Sequence, residues 1–178
     1  MGVPYIPIVG LVGTHLLERR DDMVLAVDPF DGVTRSVVAK ALRPDVALFH
    51  ARAVDRQGNV SCGYHSENVI LAEASKLVIV TAEQVVDQLS EQEAVGTWIP
   101  GIYVDVIAHV PRGAHPAGMP GLYAADGAHM IEYVAASKDD STFAAYLEKY
   151  VHGVKDHDEY LRRYVPSAQA GEPSAAAD

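Results

Sequence analysis

Residues 43–80, RPDVALFHARAVDRQGNVSCGYHSENVILAEASKLVIV, contain the pattern that decides the fold class. Val46–Phe49 and Leu77–Val80 are short, nearly continuous apolar runs, which are typical of strands covered on both faces. Residues 67–76, between them, predict a helix with its buried side chains at Val69, Ile70, Leu71 and Ala74. Strand, loop, helix and strand over this length predict a βαβ unit with parallel strands and a right-handed crossover.

The flanking sequence adds further elements to this unit. Residues 3–9 and 34–39 predict extended strands, and the alternation of side chains over residues 103–110 predicts a half-covered or edge strand. Thr81-x-x-Gln84 has the capping-box spacing at which a helix begins. The pattern as a whole predicts an α/β fold, an open and mostly parallel sheet with flanking helices.

The predicted domain covers residues 1–165. Asp126 and Asp156 precede its last helical segments as predicted N-caps. Residues 166–178, PSAQAGEPSAAAD, are small and polar and predict a disordered tail.

Charge and composition exclude several classes of protein. The chain has 178 residues and a formal net charge of −10, with no cluster of Lys and Arg, which argues against broad nucleic-acid binding. No apolar run approaches the about 20 residues of a membrane span. Cys62 is the one cysteine, so no internal disulfide is possible, which fits a cytoplasmic protein.

The loop from His50 to Ser66 is the strongest candidate for a binding site. It leaves the carboxyl end of the strand at residues 46–49, and ligands bind beyond the carboxyl ends of strands in open parallel sheets. Glu67 follows it at the start of a helix, where anions are attracted but where a carboxylate also serves as a cap. The residues of this loop that we predict to line a pocket are Asp55, Gly58, Asn59, Gly63 and Tyr64.

Each of these residue types also has an ordinary structural explanation. Asp55-x-x-Gly58-Asn59 has the composition of a tight turn. Cys62 has His65 nearby as a base, yet a lone cysteine is more often an inert small hydrophobe. The histidines, among them His50, His65, His109 and His115, show no recognised metal-ligand spacing, so we predict no metal site.

Several segments in order resemble the A subunits of glutaconate-type CoA-transferases, which are family I CoA-transferases. The resemblance runs from residue 2 to residue 164, and each segment by itself is weak. The segments are GVPYIP (2–7), GTHLL (13–17), ALRPDV (41–46) with His50, DRQGN (55–59), IVTAEQ (79–84), IPGIYVD (99–105), PRGAHP (111–116), GLYAAD (121–126) and DHDEYL (156–161).

This resemblance implies the CoA-transferase fold, which is related to that of NagB and RpiA, but without the N-terminal part that such A subunits usually carry. It implies CoA transfer from an acyl-CoA to a carboxylic acid through a glutamyl-CoA thioester. Coenzyme A is then a substrate, and no cofactor is bound permanently. The implied partner is a B subunit. The half-built sheet is therefore expected to expose apolar surface that another polypeptide covers.

The resemblance also implies where the reactive carboxylate lies. In glutaconate-type enzymes it is a glutamate of the B subunit, in a Glu-(Ser/Asn)-Gly setting. The nearest match here is Ser66-Glu67-Asn68-Val69, which lacks the glycine. We therefore expect no catalytic residue in this chain, and Glu67 is the one weak candidate. Two alternatives stay open: a subunit of a ring-cleaving CoA-thioester hydrolase of steroid degradation, and a non-catalytic fragment.

Overall fold

The structure is a computed structural model that describes residues 2–64 and 67–165. The predicted tail at residues 166–178 lies outside the described residues, as do His65 and Ser66.

The described chain forms two compact units, of which the first ends at Pro44 and the second begins at Asp45. The single domain predicted over residues 1–165 stays a prediction, because the compactness of two units does not decide whether they act as one.

The first unit is a three-stranded antiparallel sheet. Its strands are β1 (Tyr5–Ile8), β2 (Met23–Val27) and β3 (Arg35–Lys40), in the order β1-β3-β2. A single helical turn, α1 (Leu16–Arg19), precedes β2. The central strand β3 carries the fully buried Val37. Residues 3–9 and 34–39 therefore form strands as predicted, but within an antiparallel sheet.

The second unit is built on a five-stranded mixed sheet in the order β7-β5-β4-β6-β8. Strands β4, β6 and β8 are parallel neighbours, while β5 and β7 pair in antiparallel fashion at one edge. The predicted edge strand within residues 103–110 is β8. The bounds are β4 (Val46–Asp55), β5 (Val60–Ser61), β6 (Leu77–Val86), β7 (Trp98–Ile99) and β8 (Val106–His109).

The predicted βαβ unit is present, with helix α2 (Glu67–Ala74) connecting the parallel strands β4 and β6. The two strands pair from Val46 with Leu77 onward. Alternate residues of a strand point to the same side of the sheet, and on one side of this pair they form the core of the second unit. The buried core residues are Ala47, Phe49, Ala51, Val54, Val60, Cys62, Ala72, Val78, Val80, Ala82 and Ile99.

Both central strands are longer than the sequence predicted. β4 continues past Phe49 to Asp55, so the predicted loop from His50 begins later. β6 continues to Val86, and the helix predicted to begin at Thr81 is wrong. Pairing with β4 extends along these residues, and such tertiary pairing overrides a local capping pattern.

The chain after β8 is mainly helical. Asp126, Asp139 and Asp156 cap three of its helices, since each side chain accepts backbone N–H hydrogen bonds from the first turn, and the predicted caps at Asp126 and Asp156 are confirmed. The helical elements after β8 are α3 (Gly127–Ala136), α4 (Asp140–Leu147), a π-helical turn (Glu148–His152) and α5 (His157–Tyr164). A 3₁₀ turn (Gly101–Tyr103) lies between β7 and β8.

The opposite face of the central strands has exposed apolar side chains near the start of β4. Val46 and Leu48 are 50% and 65% exposed, although both belong to a strand of the main sheet. Ile70 of α2 is 71% exposed, so the prediction that it is buried is wrong, and Ile131 of α3 is also exposed. This surface agrees with the expectation of apolar area that the described chain does not itself cover.

Candidate functional site

The carboxyl ends of the three parallel strands lie along one edge of the sheet. These ends are Asp55 of β4, Val86 of β6 and His109 of β8, and ligands of open parallel sheets bind beyond such ends. Of the predicted pocket residues, Asp55 ends β4 and Gly58 and Asn59 follow it directly, so these three belong to this edge.

Asp55 organises the turn between β4 and β5. One carboxylate oxygen accepts the N–H groups of Gln57 and Asn59, each at 2.9 Å. The other oxygen accepts the Asn59 side-chain amide at 2.8 Å and the Leu89 N–H at 3.0 Å. Four donors therefore converge on one side chain that is 1% exposed.

This bonding keeps Asp55 ionised although it is buried. Burial by itself would raise the pKa of the carboxyl, but the donors from Asn59, Leu89 and Gln57 outweigh burial and hold the pKa below its ordinary value. The carboxylate is thus engaged inside the turn, where it fixes the backbone that follows β4.

Gly58 and Asn59 attach this turn to the 3₁₀ turn that begins at Gly101. The Asn59 side-chain oxygen accepts the Gly101 N–H at 3.0 Å. Gly58 has φ +90°, and a Cβ at that position would lie 3.2 Å from the Gly101 Cα. The turn therefore needs glycine for its backbone conformation and for its close approach to the neighbouring backbone.

Gly63 and Tyr64 lie further along and have different surroundings. The Gly63 carbonyl accepts the Thr97 N–H at 2.6 Å, and Gly63 forms an isolated bridge with Gly96. Tyr64 is 76% exposed. The structure thus brings Asp55, Gly58 and Asn59 into one turn, whereas Gly63 pairs with the segment before β7.

Cys62 is part of the core. It is 1% exposed, and burial raises the pKa of its thiol to about 11, against a smaller opposing effect of its hydrogen bond with Asn68. A thiol with that pKa stays protonated at neutral pH, so Cys62 fits the inert hydrophobe better than the nucleophile.

Glu67 is the first residue of α2 and is exposed. Its position agrees with the prediction that it begins this helix. A carboxylate in the first helical turn is favoured by the helix dipole, so this position has an ordinary structural explanation.

A buried polar cluster lies on the other face of β4 and β6, and the sequence analysis missed it. Glu83 is its centre: one carboxylate oxygen accepts the His50 Nε2–H at 2.8 Å and the Tyr123 hydroxyl, and the other accepts the Arg112 N–H at 2.6 Å. His50 Nδ1 in turn contacts the Thr81 hydroxyl at 2.8 Å. The cluster joins two strands to the loop after β8.

The donors around Glu83 determine its charge. Burial would raise the pKa of its carboxyl, but hydrogen bonds from His50, Tyr123 and Arg112 lower the pKa below its ordinary value. Burial and the adjacent Glu83 charge raise the pKa of Tyr123. Glu83 is therefore a charged acceptor that orients the His50 ring, and Tyr123 is a neutral donor.

A sequence signal for this cluster exists in the period of β6. Thr81 and Glu83 continue the two-residue alternation that begins at Leu77, with the buried Val78, Val80 and Ala82 on the other face. The capping-box interpretation of Thr81 placed Glu83 in a helix and hid this pattern.

The histidines are less scattered in space than in sequence. His115 and His129, from the loop after β8 and from α3, have ring centroids 5.3 Å apart. Together with Asp126 they place one ligand atom each within 4.8 Å of the others, a grouping that can hold a metal ion. His50 and His109 instead contact Glu83, through its side chain and its carbonyl respectively.

Among the described residues, no helix combines the length and the apolar character that a membrane crossing requires.

Comparisons with known proteins agree with the resemblance. The chain is 31% identical over 180 residues to the A subunit of glutaconate CoA-transferase from Acidaminococcus fermentans, covering 92% of this chain and 56% of the relative. It is also 31% identical to the A subunit of 3-oxoadipate CoA-transferase from Pseudomonas knackmussii over 163 residues, covering 89% of this chain and 56% of the relative. The chain therefore spans about half the length of these curated relatives.

Solved structures show the same relationship. The crystal structure of glutaconate coenzyme A-transferase from Acidaminococcus fermentans superposes with a TM-score of 0.83 at 28% identity, over 94% of this chain and 58% of that one. The profile of the family described as Coenzyme A transferase matches residues 1–109. The chain belongs to the coenzyme A transferase family.

Proposed function

We propose that this chain works as part of the A subunit of a two-subunit CoA-transferase. The observation that carries the proposal is the superposition on glutaconate coenzyme A-transferase, with a TM-score of 0.83 over 94% of this chain. Alignments with the A subunits of glutaconate CoA-transferase and 3-oxoadipate CoA-transferase, which cover 92% and 89% of this chain, support the same proposal. The predicted cytoplasmic location belongs to this proposal.

The proposed reaction moves CoA without any oxidation or reduction. A glutamate of the B subunit uses a carboxylate oxygen to attack the acyl-CoA carbonyl carbon, the C–S bond breaks, and a mixed anhydride and CoA thiolate form. The thiolate then attacks the glutamyl carbonyl carbon and releases the first acid as a carboxylate. The acceptor carboxylate repeats these steps in reverse order and leaves as the new acyl-CoA.

In this proposal the chain shapes the site and supplies no nucleophile. The Asp55 and Glu83 carboxylates are each engaged by three or more internal donors, so neither is available to attack a thioester. Glu67 lacks the following glycine of the family setting. The turn from Asp55 to Tyr64 would border the pocket where the B subunit presents its glutamate.

The test is reconstitution with a B subunit. The full chain is co-expressed with a CoA-transferase B subunit from the same genome, and exchange of CoA between an acyl-CoA and labelled carboxylic acids is followed by mass spectrometry. We expect a stable complex and exchange that disappears when the B-subunit glutamate is changed to alanine. Exchange by this chain alone, or an inactive complex with an intact glutamate, would overturn the proposal.

A second candidate function is supported by another solved structure. A variant of the decarboxylase AibA/AibB superposes with a TM-score of 0.71 at 34% identity, over 84% of this chain and 54% of that one. Release of CO₂ from a carboxylated acyl-CoA by the same complex, without CoA exchange, would favour this function. Ring-cleaving hydrolysis would instead give a new free carboxylate in the same assays. A non-catalytic fragment would give no CO₂, no exchange of CoA and no new carboxylate.

A further inference from the structure

The loop after β8 and the start of α3 bring two imidazoles and a carboxylate together. His115 Nε2 lies 3.4 Å from an Asp126 carboxylate oxygen, and His129 completes a group in which one ligand atom of each residue lies within 4.8 Å of the others. His115 and His129 are 9% and 6% exposed. Three side chains of types that bind transition metals therefore face each other in a nearly buried setting.

Each imidazole also has a tyrosine hydroxyl as partner on one of its ring nitrogens. His115 Nδ1 contacts the Tyr160 hydroxyl at 2.7 Å, and His129 Nε2 contacts the Tyr146 hydroxyl at 2.7 Å. Metal-ligating histidines almost always have such a partner on the nitrogen that does not bind the metal, because it fixes the tautomer and the ring orientation. The two tyrosines come from α5 and α4, so the support is independent of the ligand loop.

The backbone fixes the carboxylate as well. As the N-cap of α3, Asp126 accepts the His129 N–H on one oxygen at 3.0 Å, which leaves the other oxygen directed at His115. The Asp126 N–H donates to the Pro116 carbonyl at 2.9 Å, which ties the cap to the loop that contains His115.

We propose that His115, Asp126 and His129 form a binding site for a divalent transition metal ion of the Zn²⁺ type. Two imidazoles and one carboxylate are a ligand set that Zn²⁺ accepts, with a fourth position left for water. Oxygen-seeking Mg²⁺ and Ca²⁺ fit it less well, because two of the three ligands are nitrogens.

Metal binding needs one proton rearrangement in the His115 ring. Because an ionised Asp126 carboxylate can only accept, a His115 ring with one proton donates it from Nε2, and Nδ1 then accepts the Tyr160 hydroxyl. On binding, the Nε2 lone pair goes to the metal and the proton resides on Nδ1, from which it donates to the Tyr160 oxygen. No electron is transferred, and the phenol remains the hydrogen-bond partner in both states.

The positive end of the α3 dipole opposes a cation at this place. The Asp126 charge lies between the helix terminus and the proposed ion and offsets that opposition. Hydrogen bonding without any metal is the competing explanation, and the experiment separates the two.

The experiment measures zinc directly in the untagged full chain, purified alone or with its B subunit. After EDTA treatment and dialysis, ZnCl₂ is titrated by calorimetry and bound zinc is counted by mass spectrometry. We expect one zinc ion per chain in the wild type, with loss of binding in Asp126→Asn, which keeps an N-capping side chain but removes the charge. His152→Gln, at an exposed position, is the matched control and should bind as the wild type does.

A positioning variant sharpens the test. Tyr160→Phe removes only the partner of His115 and should weaken zinc binding by about 10- to 100-fold. Circular dichroism without metal checks that each variant folds. A folded wild type that binds no zinc, or Asp126→Asn and Tyr160→Phe variants that bind it with wild-type affinity, would overturn the proposal, and neither result bears on CoA transfer.

Discussion

Asp55 and Glu83 are two nearly buried carboxylates of the same sheet, and they differ in where their hydrogen-bond partners come from. Both have a pKa held below the ordinary value by several donors that outweigh burial. Two of the residues that bond to Asp55 lie within four positions of it, whereas the partners of the Glu83 carboxylate lie 29 to 40 residues away. Asp55 therefore shapes its own turn and has one distant partner, the Leu89 N–H, while every partner of the Glu83 carboxylate is distant, so Glu83 holds separate elements together.

The comparison predicts that the loss of Glu83 has the largest effect on stability. Glu83→Ala removes the carboxylate to which the His50 Nε2–H, the Tyr123 hydroxyl and the Arg112 N–H donate. Leaving a buried donor unsatisfied costs about 1–3 kcal/mol, and three donors lose this acceptor in the variant. Urea unfolding, followed by circular dichroism, measures the change in the free energy of unfolding.

Two variants serve as controls for the loss of Glu83. Glu83→Gln keeps an acceptor oxygen and the shape of the side chain, so it should cost less than Glu83→Ala. Tyr123→Phe removes one of the donors and should fall between the wild type and Glu83→Ala. Equal stability of Glu83→Ala and the wild type would mean that this cluster does not join the strands to the loop.

A substitution of Gly58 should have the next largest effect on stability, and it tests the turn that Asp55 organises. Gly58→Ala puts a side chain on a backbone with φ +90° and places its Cβ 3.2 Å from the Gly101 Cα. A non-glycine residue in the left-handed region costs about 1–3 kcal/mol, and the contact moves this variant toward the upper end. The same unfolding measurement gives the result.

Gly63→Ala is the matched control, since Gly63 has φ +66° in the same unit, but no atom of the described residues other than its chain neighbours lies within 4 Å of its built Cβ. Gly63→Ala should lower the free energy of unfolding only through its strained backbone conformation, and not through a steric contact. If Gly63→Ala costs as much as Gly58→Ala, then the close approach to Gly101 contributes nothing to the difference.

Acid should weaken both carboxylate centres, because their pKa values are lower in the folded state than in the unfolded chain. Their contribution to stability is complete above the ordinary carboxyl pKa of about 4 and is lost as the pH falls through the folded-state pKa. Each group contributes a slope of up to about 1.4 kcal/mol per pH unit in that window.

Unfolding free energies measured from about pH 6 to about pH 3 test this dependence. Asp55→Asn and Glu83→Gln should each reduce the slope, since neither amide titrates in this range. If one variant keeps the wild-type slope, the carboxylate that it removes is not held ionised by its donors.

The distance in sequence between interacting residues also explains which parts of the fold and of the site the sequence predicted. The βαβ unit, the parallel pairing of β4 with β6 and the caps at Asp126 and Asp156 follow from short-range patterns, and the structure contains all of them. The tight turn, which is the ordinary structural explanation for residues 55–59, is a short-range pattern too, because its aspartate, glycine and asparagine are close in sequence.

The missed features depend on distant partners. The extension of β6 to Val86 follows from its pairing with β4, which local capping residues cannot reveal. His115 and His129 face each other because a loop and a helix fold together, and no fixed spacing in the sequence predicts such a pair. Sequence reasoning thus located the edge of the sheet that follows β4, and it missed the polar groups brought together by the chain after β8.

The smallest expected effect is at Glu67, where the question is catalysis instead of stability. Glu67→Gln removes the charge of an exposed residue in the first turn of α2 and should leave CoA exchange by the reconstituted complex within about twofold of the wild type, since the expected nucleophile belongs to the other polypeptide. Mass-spectrometric exchange assays at saturating acyl-CoA measure the turnover. A loss of several orders of magnitude, with the complex still assembled, would identify Glu67 as the nucleophile. The carboxylates of this chain would then be divided between structure, at Asp55 and Glu83, and chemistry, at the start of α2.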